Sequence, residues 1–132
     1  MIKMKTQPPK PMNKKQTRIY TERVSAGCPV RVAANILDGK WTTRIGLELL
    51  GGKKRFSELQ RSLTGISPKI LTTRLNMLIE NGLVEKTIYP VMPPKTEYEL
   101  TELGQNLRDI IFAMAEFGTR VSERAGRPAA TV

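Results

Sequence analysis

The chain has 132 residues, 22 Lys and Arg against 12 Asp and Glu for a formal charge of +10, one cysteine and no histidine. That inventory excludes Ser–His and Cys–His nucleophile pairs, His- or Cys-rich zinc sites and an intrachain disulfide. No apolar run approaches the ~18 residues of a membrane span, so the expectation is one small, basic, cytoplasmic domain that binds a polyanion, with no enzyme activity, metal or cofactor.

Charge is concentrated at the start. Residues 1–23 carry Lys3, Lys5, Lys10, Lys14, Lys15, Arg18 and Arg23 against Glu22 alone, 7 − 1 = +6 of the total. Pro8, Pro9 and Pro11 and the scarcity of apolar residues leave too little surface to bury against the entropy of ordering. The segment 1–18 is therefore expected to be a basic arm, flexible up to about Lys15. Such an arm lies along phosphate or is simply a solvated tail. No apolar core follows the basic residues, so a secretory signal is not expected. Residues 19–125 are assigned to the folded domain and 126–132 to a disordered tail.

Pro29 suits a first helical position, and Val32, Ala33, Ile36 and Leu37 share a face before Asp38-Gly39 stops the segment. Trp41, Ile45 and Leu49 then recur every four residues up to Gly51-Gly52, with Gly46 costing about 1 kcal/mol against Ala in a helix. Lys53-Lys54-Arg55 leads into a short helix that turns Leu59 and Leu63 inward, and Thr64-Gly65-Ile66 is a tight break. The next helix has the best local signals in the chain. Ser67 is an N-cap, Pro68 occupies the first position, Leu71, Leu75 and Leu78 form one stripe, and Asn81-Gly82 ends it. Leu83–Tyr89 and Thr96–Thr101 alternate as strands around a Pro90-Val91-Met92-Pro93-Pro94 loop. A last helix is expected from Thr101, as N-cap, to about Arg124.

The fold class is accordingly mostly α (α+β): a winged helix-turn-helix with a β-hairpin wing and a long C-terminal dimerisation helix. Opposite the Leu stripe of the fourth helix stand Lys69, Thr72, Thr73 and Asn76, none acidic. Lys can donate to guanine, Asn can pair with adenine, and Thr offers a hydroxyl and a methyl, while Ser67 and Pro68 open an N-terminus suited to phosphate. Read blandly, this is the solvated side of an amphipathic helix; the preceding turn, the wing and the basic balance favour DNA reading. Lys53, Lys54, Arg55 and the wing's Lys95 are either solvated or backbone clamps. Glu97 and Glu99 share a strand face and read as solvated carboxylates rather than a catalytic pair.

Cys28-Pro29-Val30, Gly39-Lys40-Trp41-Thr42, Arg55-Phe56-Ser57-Glu58-Leu59, Gly65-Ile66-Ser67-Pro68-Lys69-Ile70-Leu71, Gly82-Leu83-Val84, Tyr89–Pro94 and Tyr98–Gly104 follow one another over Cys28 to about Val121. In that order they resemble the HxlR family of winged-helix regulators. The resemblance implies a homodimeric transcriptional regulator on double-stranded DNA with a pseudo-palindromic operator. The helix of residues 67–81 would enter the major groove, and the wing of 83–100 would meet the flanking backbone or minor groove. The alternative is a sequence-tolerant nucleic-acid binder that uses the arm.

In the last helix Leu103, Leu107, Ile110, Met114, Phe117 and Val121 are spaced 4, 3, 4, 3 and 4 apart, with Ile111 widening the stripe. That pattern is a coiled-coil seam for a dimer, and also what a helix docked on its own domain shows. Ile19–Val24 is expected to join the interface. Cys28 sits at a helix start with Arg23 and Arg31 nearby in sequence, which favours thiolate. The family resemblance implies a redox or electrophile sensor there; a half-buried residue at a helix start is the structural alternative.

Overall fold

The computed structural model describes residues 11–25 and 28–126. The chain divides into two compact units, one up to Leu37 and one from Asp38 onward. The expected arm up to residue 10 and the expected tail from residue 127 lie outside the described residues, as do the side chains of Arg23 and Val24.

The first unit holds helices α1 (Lys14–Ser25) and α2 (Pro29–Ile36). Residues 14–18, assigned from sequence to the arm, are helical. Asn13 explains why: its Oδ1 accepts from the Gln16 amide at 2.8 Å while the Gln16 side chain accepts from the Asn13 amide at 3.0 Å. Reciprocal capping of this kind satisfies two orphan donors at once. The Arg18–Glu22 pair at 2.9 Å adds support one turn on. Helix α2 starts at Pro29 as expected, but none of its residues is buried, so its apolar residues Val30 and Val32 remain exposed.

The second unit runs α3 (Lys40–Leu50), β1 (Lys54–Arg55), α4 (Phe56–Ser62), α5 (Pro68–Glu80), β2 (Val84–Tyr89), β3 (Lys95–Leu100), a 3-10 turn (Gly104–Asn106) and α6 (Leu107–Arg124). Its core joins Ile45 and Leu49 of α3, Leu59 and Leu63 around α4, Leu71, Leu75 and Leu78 of α5, Val84, Tyr98 and Leu100 of the sheet, and Leu107 and Ile111 of α6. Burying each such side chain contributes about 1.5–3 kcal/mol. Thr42, also buried, donates its hydroxyl to the Asp38 carbonyl at 3.4 Å.

Helix α5 begins and ends as its sequence demands. Ser67 Oγ accepts from the Ile70 amide at 3.1 Å. At the other end the Leu83 amide donates to the Leu78 carbonyl and the Gly82 amide to that of Ile79, with Gly82 at φ +75°. That is the double closure for which a left-handed glycine is suited.

The sheet is three-stranded and antiparallel in the order β1-β3-β2. Strand β1 was not foreseen: two residues are too short to show periodicity, and Lys54 and Arg55 pair with Tyr98 and Glu97 on the central strand.

The last helix also departs from expectation, for it begins at Leu107 rather than at Thr101. Thr101 still caps, but a turn. Its hydroxyl donates to the Gly82 carbonyl at 2.6 Å and accepts from the Gly104 amide at 3.0 Å, while its own amide donates to Leu83. The strand end is thereby stapled to the exit of α5, and the backbone winds as a 3-10 turn before α6 opens. Gly46, costly by propensity, is explained by packing: a Cβ there would stand 3.2 Å from Leu107 Cδ1 and 3.4 Å from Ile111 Cδ1, so its absence lets α6 cross close to α3.

Candidate nucleic-acid interface

Helices α4 and α5, joined by a turn with Gly65 at φ +93°, form the helix-turn-helix, and β2–β3 form the wing. Leu71, Leu75 and Leu78 are fully buried, which fixes the rotation of α5 and leaves Lys69, Thr72, Thr73 and Asn76 exposed on the other side. Ser67 is half-buried at the cap and Pro68 exposed beside it. The Thr73 hydroxyl donates to the Lys69 carbonyl at 2.8 Å. Its proton is thus engaged within the helix, and what it presents outward is an acceptor oxygen and a methyl.

Two arrangements involve basic residues beside the sheet, and Lys95 takes part in both. Arg55 and Lys95 line one open depression with Phe56, Ser57, Pro94 and Thr96. Lys53 and Lys95 are engaged by acids. Lys95 Nζ lies 2.8 Å from Glu97 Oε1, and Lys53 Nζ lies 3.7 Å from Glu97 Oε2 and 3.3 Å from Glu99 Oε2. Both carboxylates are ion-paired; Glu99 is exposed to solvent as expected, whereas Glu97 is largely covered, contrary to its reading as solvated. The Lys95 ammonium hydrogen-bonded to it, with Tyr89 and Lys53 adding to the effect, holds the Glu97 carboxyl below the usual range against the desolvation that pushes it up. The hydrogen bond to Glu99 raises the Lys53 ammonium correspondingly. Spacing along one strand shows that Glu97 and Glu99 share a face; that Lys53 faces them follows only from β1 pairing with β3.

Sequence reasoning also missed three cations on and beside α3. Lys40 Nζ and the Arg44 guanidinium lie over the Trp41 ring at 4.6 and 4.8 Å. Arg74 of α5 donates to the Asp38 carbonyl at 3.5 Å and packs where Gly39, at φ +81°, has no Cβ. The i, i+4 position of Arg44 relative to Lys40 was visible as a pattern, but the Arg74 contact joins residues 36 apart and had no local signal.

The seam on α6 is split. Leu107 and Ile111, expected at a dimer interface, are buried in the chain's own core. Leu103 lies in the turn before the helix and is exposed. Ile110, Met114, Phe117 and Val121 are exposed along α6, Phe117 at 70%. Cys28 is half-exposed, in left-handed backbone (φ 41°), and its carbonyl accepts from the Arg31 and Val32 amides. Among the described residues no cluster of His, Cys, Asp and Glu could hold a metal ion. No helix among them is long and apolar enough to cross a membrane.

Residues 36–125 match the model of the HxlR-like helix-turn-helix family. The chain belongs to that family. As a member it is a winged-helix, DNA-binding regulator of transcription. It is 35% identical over 112 residues to the HTH-type transcriptional regulator YdeP of Bacillus subtilis, covering 85% of this chain and 88% of that one. Among solved structures it is similar to a regulator of Porphyromonas gingivalis W83 assigned to the MarR family, with 42% identity, TM-score 0.66, 70% of this chain and 90% of that one. It is likewise similar to the oxidised form of the redox regulator HypR, with 38% identity, TM-score 0.64, 69% of this chain and 94% of that one. Cys28 precedes the matched family segment.

Proposed function

We propose that this HxlR-family protein acts as a cytoplasmic homodimer that reads a pseudo-palindromic operator, with α5 of each copy in a major groove. The observation that carries the reading is the face of α5: three fully buried leucines set its rotation, and the side turned outward offers Lys69, Thr72, Thr73 and Asn76 over its first turns, with an acid, the exposed Glu80, only at the last position of the helix. Lys69 suits guanine O6 and N7, Asn76 the N6 and N7 edge of adenine, and the two threonines a thymine methyl. Ser67 and Pro68 bring the helix N-terminus to a phosphate, and Lys54 and Arg55 clamp the backbone beside it. Lys53 and Lys95 belong to the same surface once released from their acids. The basic segment of residues 1–18, which runs into α1 from Lys14, adds affinity that is independent of sequence.

Dimerisation rests on Ile110, Met114, Phe117 and Val121, together with Leu103. One reading head makes few base contacts; two heads about 34 Å apart along the duplex multiply them and match a twofold site.

Competition against random duplex tests the reading. The wild type should prefer a selected site by roughly 10³-fold or more. Lys69→Ala and Asn76→Ala should each weaken that site by about 1–3 kcal/mol while sparing random duplex. Equal affinity for all sequences would favour an architectural binder that works through the arm.

Cys28 is the candidate redox residue of this reading, supported by the likeness to HypR, whose name records redox regulation. With one cysteine per chain, oxidation ends in an intersubunit bond, a mixed disulfide with a small thiol, or a sulfenic acid. Cys28→Ser should bind the operator as tightly as wild type under reducing conditions and keep binding after diamide. Equal diamide sensitivity in the two proteins removes Cys28 from the mechanism.

A further inference from the structure

The outer face of the wing is electrically balanced. Lys95, Glu97 and Glu99 alternate to one side of β3, and the register sets Arg55 opposite Glu97 and Glu85 opposite Glu99. With Lys53 reaching in from the residue before β1, this face holds three cations (Lys53, Arg55, Lys95) against three carboxylates (Glu85, Glu97, Glu99). Glu97 is the hub. Its side chain is only 12% exposed, and its carboxylate meets Lys95 Nζ at 2.8 Å, Lys53 Nζ at 3.7 Å and the donating hydroxyl of Tyr89 at 3.3 Å. Lys95 is held a second way, with its ammonium 4.9 Å from the Tyr89 ring centre.

We propose that Glu97 is a specificity-determining residue that stands in for a DNA phosphate and keeps Lys53 and Lys95 from adding to the affinity for arbitrary duplex. The inference rests on the DNA-binding reading above and deepens it. To move to a phosphate, Lys95 must leave the half-buried Glu97, and Lys53 must leave Glu97 and the exposed Glu99 together; an uncompensated carboxylate at Glu97 is costly. The gain from releasing a counterion is thus offset by a lost ion pair. On random DNA nothing else is gained by the exchange, so the two lysines stay on Glu97. On the operator, base contacts by α5 have already paid for orientation, and flanking phosphates are presented at high effective concentration, which lets the exchange proceed. Specificity then arises partly from a penalty on the wrong complex rather than from a better fit to the right one.

The experiment uses full-length protein and fluorescence anisotropy on two duplexes, one random and one recovered by selection with the wild type, across about 50–200 mM salt. Glu97→Gln frees Lys95 and leaves Lys53 with Glu99 as its remaining partner. Its affinity for random duplex should rise at least about fivefold at low salt, its log–log salt slope should steepen by about one, and its preference for the selected site should fall. Glu85→Gln makes the same change of net charge on the same face and should have a clearly smaller effect. Glu99→Gln, at an exposed position, leaves Lys53 with Glu97 as its remaining partner and should steepen the slope less than Glu97→Gln does. Adding Lys53→Ala and Lys95→Ala to Glu97→Gln should return the slope to that of wild type. The proposal is overturned if Glu97→Gln binds random duplex no more tightly than Glu85→Gln does, or more weakly than wild type. A wild type that does not prefer the selected duplex overturns the regulator reading instead, and the slopes on random duplex still decide the role of Glu97.

Discussion

Phe117→Glu should convert the protein to a monomer and lower operator affinity by about 10²–10⁴-fold, the factor that joining two reading heads supplies. Phe117 is 70% exposed in the single chain and stands with Met114 and Val121 farther along the stripe of α6 whose first turns hold the buried Leu107 and Ile111. A carboxylate there costs the folded monomer little. In a twofold interface the same carboxylate is desolvated, and it meets the apolar seam in both copies, which is expensive without a cation to pair with. Sedimentation at micromolar concentration measures the first effect and DNA competition the second, with far-UV dichroism showing that the helices persist. A Phe117→Glu protein that still sediments as a dimer would remove the exposed half of α6 from the interface.

Gly104→Ala should destabilise the fold by about 4 kcal/mol, at the upper end of what single substitutions do. A Cβ at this position would collide with the Leu83 carbonyl oxygen and press on Leu100 Cδ2 at 3.1 Å. The obstacle is backbone, and that backbone is stapled: the Leu83 carbonyl accepts from Thr101, whose hydroxyl in turn holds Gly82 and Gly104. Relief would require separating the end of the wing from the exit of α5. Gly82→Ala provides the comparison. Nothing lies within 4 Å of its Cβ position, so only the left-handed backbone (φ +75°) is penalised, by about 1 kcal/mol. Urea unfolding of both variants at one protein concentration checks the ranking, and equal costs would show that the Gly104 backbone shifts freely.

Elements whose signals lie within a turn or two of chain were readable from sequence. Ser67 with Pro68 and the leucine stripe of α5 required no partner outside residues 67–83, because an N-cap bond spans three residues and the closing glycine motif spans six. The same locality made the wing readable from Tyr98 and Leu100 alternating with Glu97 and Glu99. The short helix was readable from Leu59 and Leu63 turned inward, and in the structure the Glu58 carboxylate caps it by accepting from the Arg55 amide at 3.1 Å. Asn13 and Gln16 were equally local and were overlooked, because the prolines and charge before them dominated the composition of the segment.

By itself, then, the sequence determined the helix-turn-helix, its wing and the face of α5 turned outward, since each follows from short-range hydrogen bonding and from the 3.6- or 2-residue period of apolar side chains. Tertiary structure alone decided which glycines are contacts: Gly46 admits α6 and Gly104 admits a carbonyl. It alone divided one uninterrupted seam into a buried half and an exposed half, because periodicity gives the direction of a side chain but not what lies there. It also brought Lys53 and Lys95 onto one carboxylate, since a two-residue strand finds its partner through backbone pairing more than forty positions away, and no local pattern encodes that distance.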